Sequence, residues 1–123
     1  MKITTFNPCI LTKDAESTIK LFEELGFERH HTKEGIGMNS ATNVRMKDAN
    51  GFYVDVSESV AEYTVIRMNV DDLDEATEFL KAHGFRMARH EAADKTIETG
   101  SSKFNIMVSP SGFIMSVSQH IKN

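Results

Sequence analysis

Gly51-Phe52-Tyr53-Val54-Asp55-Val56-Ser57 returns sixty-one positions later as Gly112-Phe113-Ile114-Met115-Ser116-Val117-Ser118. A glycine, an aromatic, two apolar residues, a polar one, valine and serine in one order are far harder to obtain by chance than a repeated dipeptide. Met46 and Met107 keep the same step, whereas upstream the step is 58, carrying Asp14 to Asp72 and Gly26-Phe27 to Gly84-Phe85. The chain therefore reads as one unit written twice, with three residues gained in a loop.

The unit can be read outward from these anchors. Asp72-Leu73-Asp74-Glu75 is an acidic capping box, with Glu75 three residues after the capping aspartate, and Ala76, Phe79 and Leu80 follow on one helical face. Gly84 ends that helix. Asp14 opens an earlier copy, in which Ile19, Phe22 and Leu25 form the apolar stripe and Gly26 supplies the left-handed exit. Segments of period two surround each helix: about 3–12, 27–33, 42–48 and 52–58 in the first half, and about 62–70, 85–91, 103–109 and 113–119 in the second.

The order is strand, helix, strand, strand, strand, twice, over residues 1–61 and 62–123 of a single domain. The predicted class is α+β. Each helix covers one face of its own sheet and leaves the other open, and two such sheets edge to edge curl into a half-open β-barrel, a cup whose concave side is the natural ligand cavity.

With 40% hydrophobic and 26% charged residues in 123, the chain is apolar enough for one core. A net charge of -4 and no basic run argue against nucleic acid as a partner. Neither a signal peptide nor a membrane-spanning stretch can be read, so no membrane partner and a cytoplasmic location are expected. Cys9 is the single cysteine, which excludes an intrachain disulfide; in an apolar run without an adjacent cation it reads as a small buried hydrophobe rather than a nucleophile.

The arrangement resembles the vicinal-oxygen-chelate superfamily, the glyoxalase/bleomycin resistance/dioxygenase group, over essentially the whole chain. Asp14 through Phe27 is similar to that family's first helix and exit, Val70-Asp71-Asp72-Leu73 to the entry of its second, and Ser109-Pro110-Ser111-Gly112 to its proline-containing turn. The resemblance implies paired βαβββ modules forming a cup. In metal-using members four inward side chains bind the ion, and their spacing maps here onto Asn7, Val65, Asp55 and Ser116. Of these only Asp55 is a competent ligand for a divalent ion, so no metal and no cofactor are expected. His30, His31 and His90 offer a compensating set, although strict alternation sends His30 and His31 to opposite faces.

Taking the mapped positions as inward, alternation places Asn7, Cys9 and Leu11, then Tyr53, Asp55 and Ser57, then Tyr63, Val65, Arg67 and Asn69, and lastly Ile114, Ser116 and Ser118 in the cup. Arg67 is informative, because an inward arginine must be paired, solvated or reserved for an anionic or planar ligand, and Asp55 is its obvious internal partner. Tyr53 and Tyr63 offer flat surface for a planar ligand. The candidate ligand-binding set is thus Asn7, Tyr53, Asp55, Tyr63, Arg67 and Ser116. No catalytic residue can be named. Polar stretches Thr32–Thr42 and Glu91–Ser102 read as loops at the rim.

The expected function is metal-independent binding of an aromatic or anionic small molecule, similar to the drug-sequestering bleomycin-resistance members. A divalent-metal-dependent lyase, isomerase or dioxygenase is the alternative, and a catalytically silent regulatory dimer is another. The resemblance implies a homodimer under each reading.

Overall fold

In a computed structural model, which describes residues 1–34, 42–88, 97–98 and 102–120, Asp14 caps α1 (Ala15–Glu24) by accepting hydrogen bonds from the Ser17 amide at 3.1 Å and the Ser17 hydroxyl at 2.7 Å. Asp72 caps α2 (Leu73–Ala82) through the Glu75 amide at 3.0 Å. The exits repeat as well. Gly26 (φ +103°) donates to Glu23 O and Phe27 to Phe22 O, while Gly84 (φ +90°) donates to Lys81 O and Phe85 to Leu80 O. Both are Schellman closures, which require a left-handed residue and so favour glycine.

The strands follow the reading closely. In chain order they are β1 (Ile3–Thr12), β2 (Glu28–Glu34), β3 (Thr42–Lys47), β4 (Tyr53–Glu58), β5 (Tyr63–Val70), β6 (Arg86–Met87), β7 (Ile97–Glu98), β8 (Ser102–Val108) and β9 (Ile114–His120). Helices fall after β1 and β5, so the βαβββ order occurs twice. The two turns before β4 and β9 are also copies. Asp48 Oδ1 accepts the Phe52 amide and Ser109 Oγ the Phe113 amide, and Gly51 and Gly112 donate back to Asp48 O and Ser109 O.

Two differences from the reading stand out. The strand predicted over 85–91 is only β6 among the described residues, with Ala88 still donating to Ile106 O. Within the stretch read as a rim loop, Ile97 and Glu98 pair with Phe104 and Lys103 of β8. His90 and most of both predicted rim loops lie outside the described residues.

The chain divides into a unit Asn7–Val65 and a unit of Met1–Phe6 with Ile66–Asn123. In the first unit the strand order is β2-β3-β4-β1, with β1 and β4 parallel and the other pairs antiparallel. Its core is Ala15, Ile19, Val44, Met46, Val54 and Val56, with Ile10, Phe22 and Phe27 packed against it. Fully burying each of its Ile, Val and Met side chains contributes about 1.5–3 kcal/mol. In the second unit the order is β5-β9-β8-β6, and Met68, Val70, Leu73, Ala76, Leu80, Met107, Met115 and Val117 form the core. The Met1 ammonium pairs with Glu75, and Lys2 exchanges hydrogen bonds with Asp71, which ties the chain start to the entry of α2.

Candidate functional site

In the Asn7–Val65 unit, alternation sends Ile10, Val44, Met46, Val54 and Val56 to the helix, so their neighbours occupy the face the helix leaves open. The ladders set those neighbours side by side. Cys9 stands next to Asp55 and Leu11 next to Ser57 across β1 and β4, while Asn43 faces Ser57, Arg45 faces Asp55 and Lys47 faces Tyr53 across β3 and β4. Every β3 residue in this row is polar or charged.

Asp55 lies at the centre, 3% exposed. Arg45 grips it as a fork, Nε to Oδ1 at 2.8 Å and Nη2 to Oδ2 at 2.9 Å, and Asn7 Nδ2 donates to Oδ2 at 3.0 Å. Charge-assisted paired bonds of this kind are among the strongest a carboxylate makes. They raise the Arg45 pKa above its ordinary value, the Asp55 hydrogen bond being the main cause against an opposing desolvation. The Asn7 amide also donates to Pro8 O at 2.9 Å. Both of its acceptors can only accept, which sets the orientation of the amide. Its Oδ1 is left buried and without a hydrogen bond, an acceptor that a bound donor would satisfy.

Beside this network lies Tyr53, half-buried. The Arg45 guanidinium carbon is 5.7 Å and the Lys47 ammonium 5.5 Å from its ring centroid, and the His30 ring meets it edge-on at 5.6 Å. Ser57 completes the face by donating to Asn43 Oδ1 at 2.6 Å, with Cys9 Sγ 3.9 Å from its hydroxyl.

The His30–Tyr53 contact puts one of the two adjacent histidines on this face. A β-bulge between Arg29 and His31 shifts the register, so that Arg29 faces Met46 and His31 faces Arg45. The extra residue breaks the period of two at this point of β2.

The structure thus brings Asn7, Tyr53 and Asp55 onto one face, together with Arg45, Lys47 and His30. Tyr63 is 42% exposed at the start of β5. Arg67 and Ser116 belong to the other unit, where they stand side by side across the parallel β5 and β9, with Ile106 facing Ser116 on β8. Arg45 is the functional residue missing from the candidate set. Its signal was the alternation in Thr42-Asn43-Val44-Arg45-Met46-Lys47, which puts arginine opposite to the two core residues.

A divalent ion does not fit this donor set. Asp55 is the only competent ligand among the four mapped positions, and both its oxygens are committed to Arg45 and Asn7. Among the described residues no three His, Cys, Asp or Glu side chains gather to hold a metal. A cation placed at Asp55 would also meet the Arg45 guanidinium at hydrogen-bond range of the same carboxylate. Among the described residues no helix is long and apolar enough to cross a membrane.

No family model and no curated protein matches the sequence. Solved structures do resemble it. Methylmalonyl-CoA epimerase from Mycobacterium tuberculosis superposes with a TM-score of 0.69 at 13% identity, covering 98% of this chain and 90% of that one. A single-site variant of Streptomyces coelicolor methylmalonyl-CoA epimerase, in complex with 2-nitronate-propionyl-CoA, gives 0.65 at 16%, covering 98% and 100%. A glyoxalase/bleomycin resistance protein/dioxygenase superfamily member from Vibrio splendidus 12B01 gives 0.61 at 15%, covering 96% and 99%. The chain has the α+β fold of the glyoxalase/bleomycin resistance/dioxygenase superfamily, as its repeat predicts.

Proposed function

We propose that this chain, carrying that fold with an arginine-locked aspartate on an open sheet face, binds an aromatic or anionic small molecule without a metal, in the manner of bleomycin-resistance proteins. The observation that carries the reading is the fork between Arg45 and Asp55. It neutralises Asp55, the one carboxylate this chain has at the four positions mapped from metal-using members, and it leaves a face of rings and hydrogen-bonding groups. Affinity for an organic ligand would come from Tyr53 and the cations around it, with Asn7 Oδ1 as an acceptor. In the other unit Arg67 and Ser116 are the corresponding candidates.

The test is a thermal-shift panel of metabolites and antibiotics run with and without chelator, paired with elemental analysis of the purified protein. Ligands that raise the melting temperature equally in chelator, and that lose this effect in Tyr53→Leu or Arg67→Ala, support the proposal. Stabilisation that requires an added divalent ion, or near-stoichiometric metal in the protein, overturns it in favour of a metal-dependent lyase, isomerase or dioxygenase.

A further inference from the structure

Arg45 uses only part of its donor capacity on Asp55. A guanidinium carries its N–H groups in one rigid plane, and the fork takes one from Nε and one from Nη2. The outer edge, made of the second N–H of Nη2 and the pair on Nη1, has no hydrogen bond among the described residues. Of the two partners it is Arg45 that reaches the open face, with 19% of its side chain exposed against 4% for Asp55. The fork fixes the guanidinium plane, so the outer edge is a double donor already held in place for a ligand.

Asn7 has the opposite need. It is 4% exposed, its Nδ2 is committed to Asp55 and Pro8, and its Oδ1 is a buried acceptor without a donor. Asn7 Nδ2 and Arg45 Nη2 bond the same oxygen, Asp55 Oδ2, so they lie no farther apart than those two bonds laid end to end. One small molecule spans that distance. Charge decides its character. Asp55 already balances the guanidinium at contact, and Glu28 stands across the ladder from Lys47. A second anion on the outer edge, about 4 Å from the guanidinium and about 7 Å from the Asp55 carboxylate, would have about half of its attraction cancelled. It would also lose more hydration than a carbonyl does. A neutral carbonyl oxygen accepts the same N–H groups with neither cost.

We propose that this face selects a neutral cis amide of the kind found in a lactam ring, its carbonyl oxygen on the outer edge of Arg45 and its N–H on Asn7 Oδ1. The inference rests on the metal-free binding reading above and narrows its ligand to an uncharged class. A ring that holds the amide cis sets acceptor and donor side by side, which answers a donor edge and an orphan acceptor that share one carboxylate. Asp55 touches no part of the ligand and acts by positioning both groups that do.

The experiment measures calorimetric binding, in chelator, of 2-quinolinone, N-methyl-2-quinolinone and 2-naphthoate. The three are similar in size and flatness, and offer acceptor with donor, acceptor alone, and an anion. The expected result is quinolinone at least about tenfold tighter than either control. Asn7→Ala should bring quinolinone down to the N-methyl compound and leave the latter unchanged. Arg45→Lys keeps the charge but loses the planar edge, and should weaken both lactams about tenfold. Arg45→Met with Asp55→Leu, which strands no charge, should abolish lactam binding in a chain whose melting transition shows it folded. Naphthoate as tight as quinolinone, or quinolinone binding that survives N-methylation or Asn7→Ala undiminished, overturns the proposal. Absence of quinolinone binding overturns it too, and the broader reading then stands or falls separately on whether panel compounds still stabilise the protein in chelator.

Discussion

Arg45 and Asp55 face each other across the antiparallel β3 and β4 and close a two-bond fork, 2.8 and 2.9 Å, at the middle of the open sheet face. The pair is unequally sheltered, with 19% of the Arg45 side chain exposed against 4% for Asp55. That asymmetry decides which partner suffers when the other is removed.

Arg45→Met takes away the main counter-charge of a buried carboxylate and is expected to destabilise the protein by about 2–4 kcal/mol. Arg45→Met combined with Asp55→Leu removes both charges and should recover much of that loss, because an apolar pair of similar volume needs no compensation. Chemical denaturation of the two single variants and the double variant measures the coupling. Additive losses would show that the fork stores no interaction energy.

Gly84 and Gly26 end equivalent helices with similar positive φ, 90° and 103°, but their surroundings differ. A Cβ on Gly84 would stand 2.8 Å from Pro110 Cγ, whereas one on Gly26 would meet nothing within 4 Å. Gly26→Ala should therefore cost only the left-handed backbone, about 1 kcal/mol, and Gly84→Ala that plus a steric term, about 2–3 kcal/mol in all. Melting temperatures of the two variants order them directly.

Much of this architecture was legible because its signals are local. Asp14, Asp72, Gly26 and Gly84 each act within one turn of helix, and the repeat checks one copy against the other. The site was legible in part. Asn7 and Asp55 came from the spacing that the family resemblance implies and Tyr53 from alternation around them, but the choice of Arg45 as the partner of Asp55 depends on the register between β3 and β4, which no local signal in either strand states. The bulge in β2 was not legible either, since it adds one residue to a period of two without a glycine to announce it. β7 escaped notice because two residues hold too little pattern to show a period.

Asp14 makes a pH-dependent contribution at α1. Its pKa is lowered below the ordinary carboxylate value of 3.8, first by the Ser17 hydroxyl and then by the Ser17 amide. A folded pKa below the unfolded one means stability that is fully present above about 3.8 and lost as pH falls through the lowered value. Asp14→Asn keeps the cap but cannot titrate. The melting-temperature gap between parent and variant should be largest near neutral pH and close as the pH falls through the lowered pKa. A gap of constant size over that range would show that the charge on Asp14 contributes nothing.

The repeat also predicts how the two cores differ. The step of 58 carries Ile19 to Thr77, and the step of 61 carries Val44 to Asn105, so an apolar pair in the first module is a polar pair in the second. Asn105 Nδ2 donates to Thr77 Oγ1 at 2.9 Å and Thr77 Oγ1 to Leu73 O at 2.7 Å, with both residues buried. Asn105 Oδ1 has no hydrogen bond, so the pair is only partly satisfied. Thr77→Ile alone strands the Asn105 amide in the core and should cost about 1–3 kcal/mol. Adding Asn105→Val copies the first module's solution, removes every unsatisfied group of the pair and should restore or exceed the parent stability. Since Ile19 and Val44 are already accommodated between α1 and its sheet, the double variant has a packing precedent within the same chain. Denaturation midpoints for the parent, both single variants and the double variant decide the matter. A double variant weaker than Thr77→Ile would mean that the second module's core has diverged in shape as well as polarity.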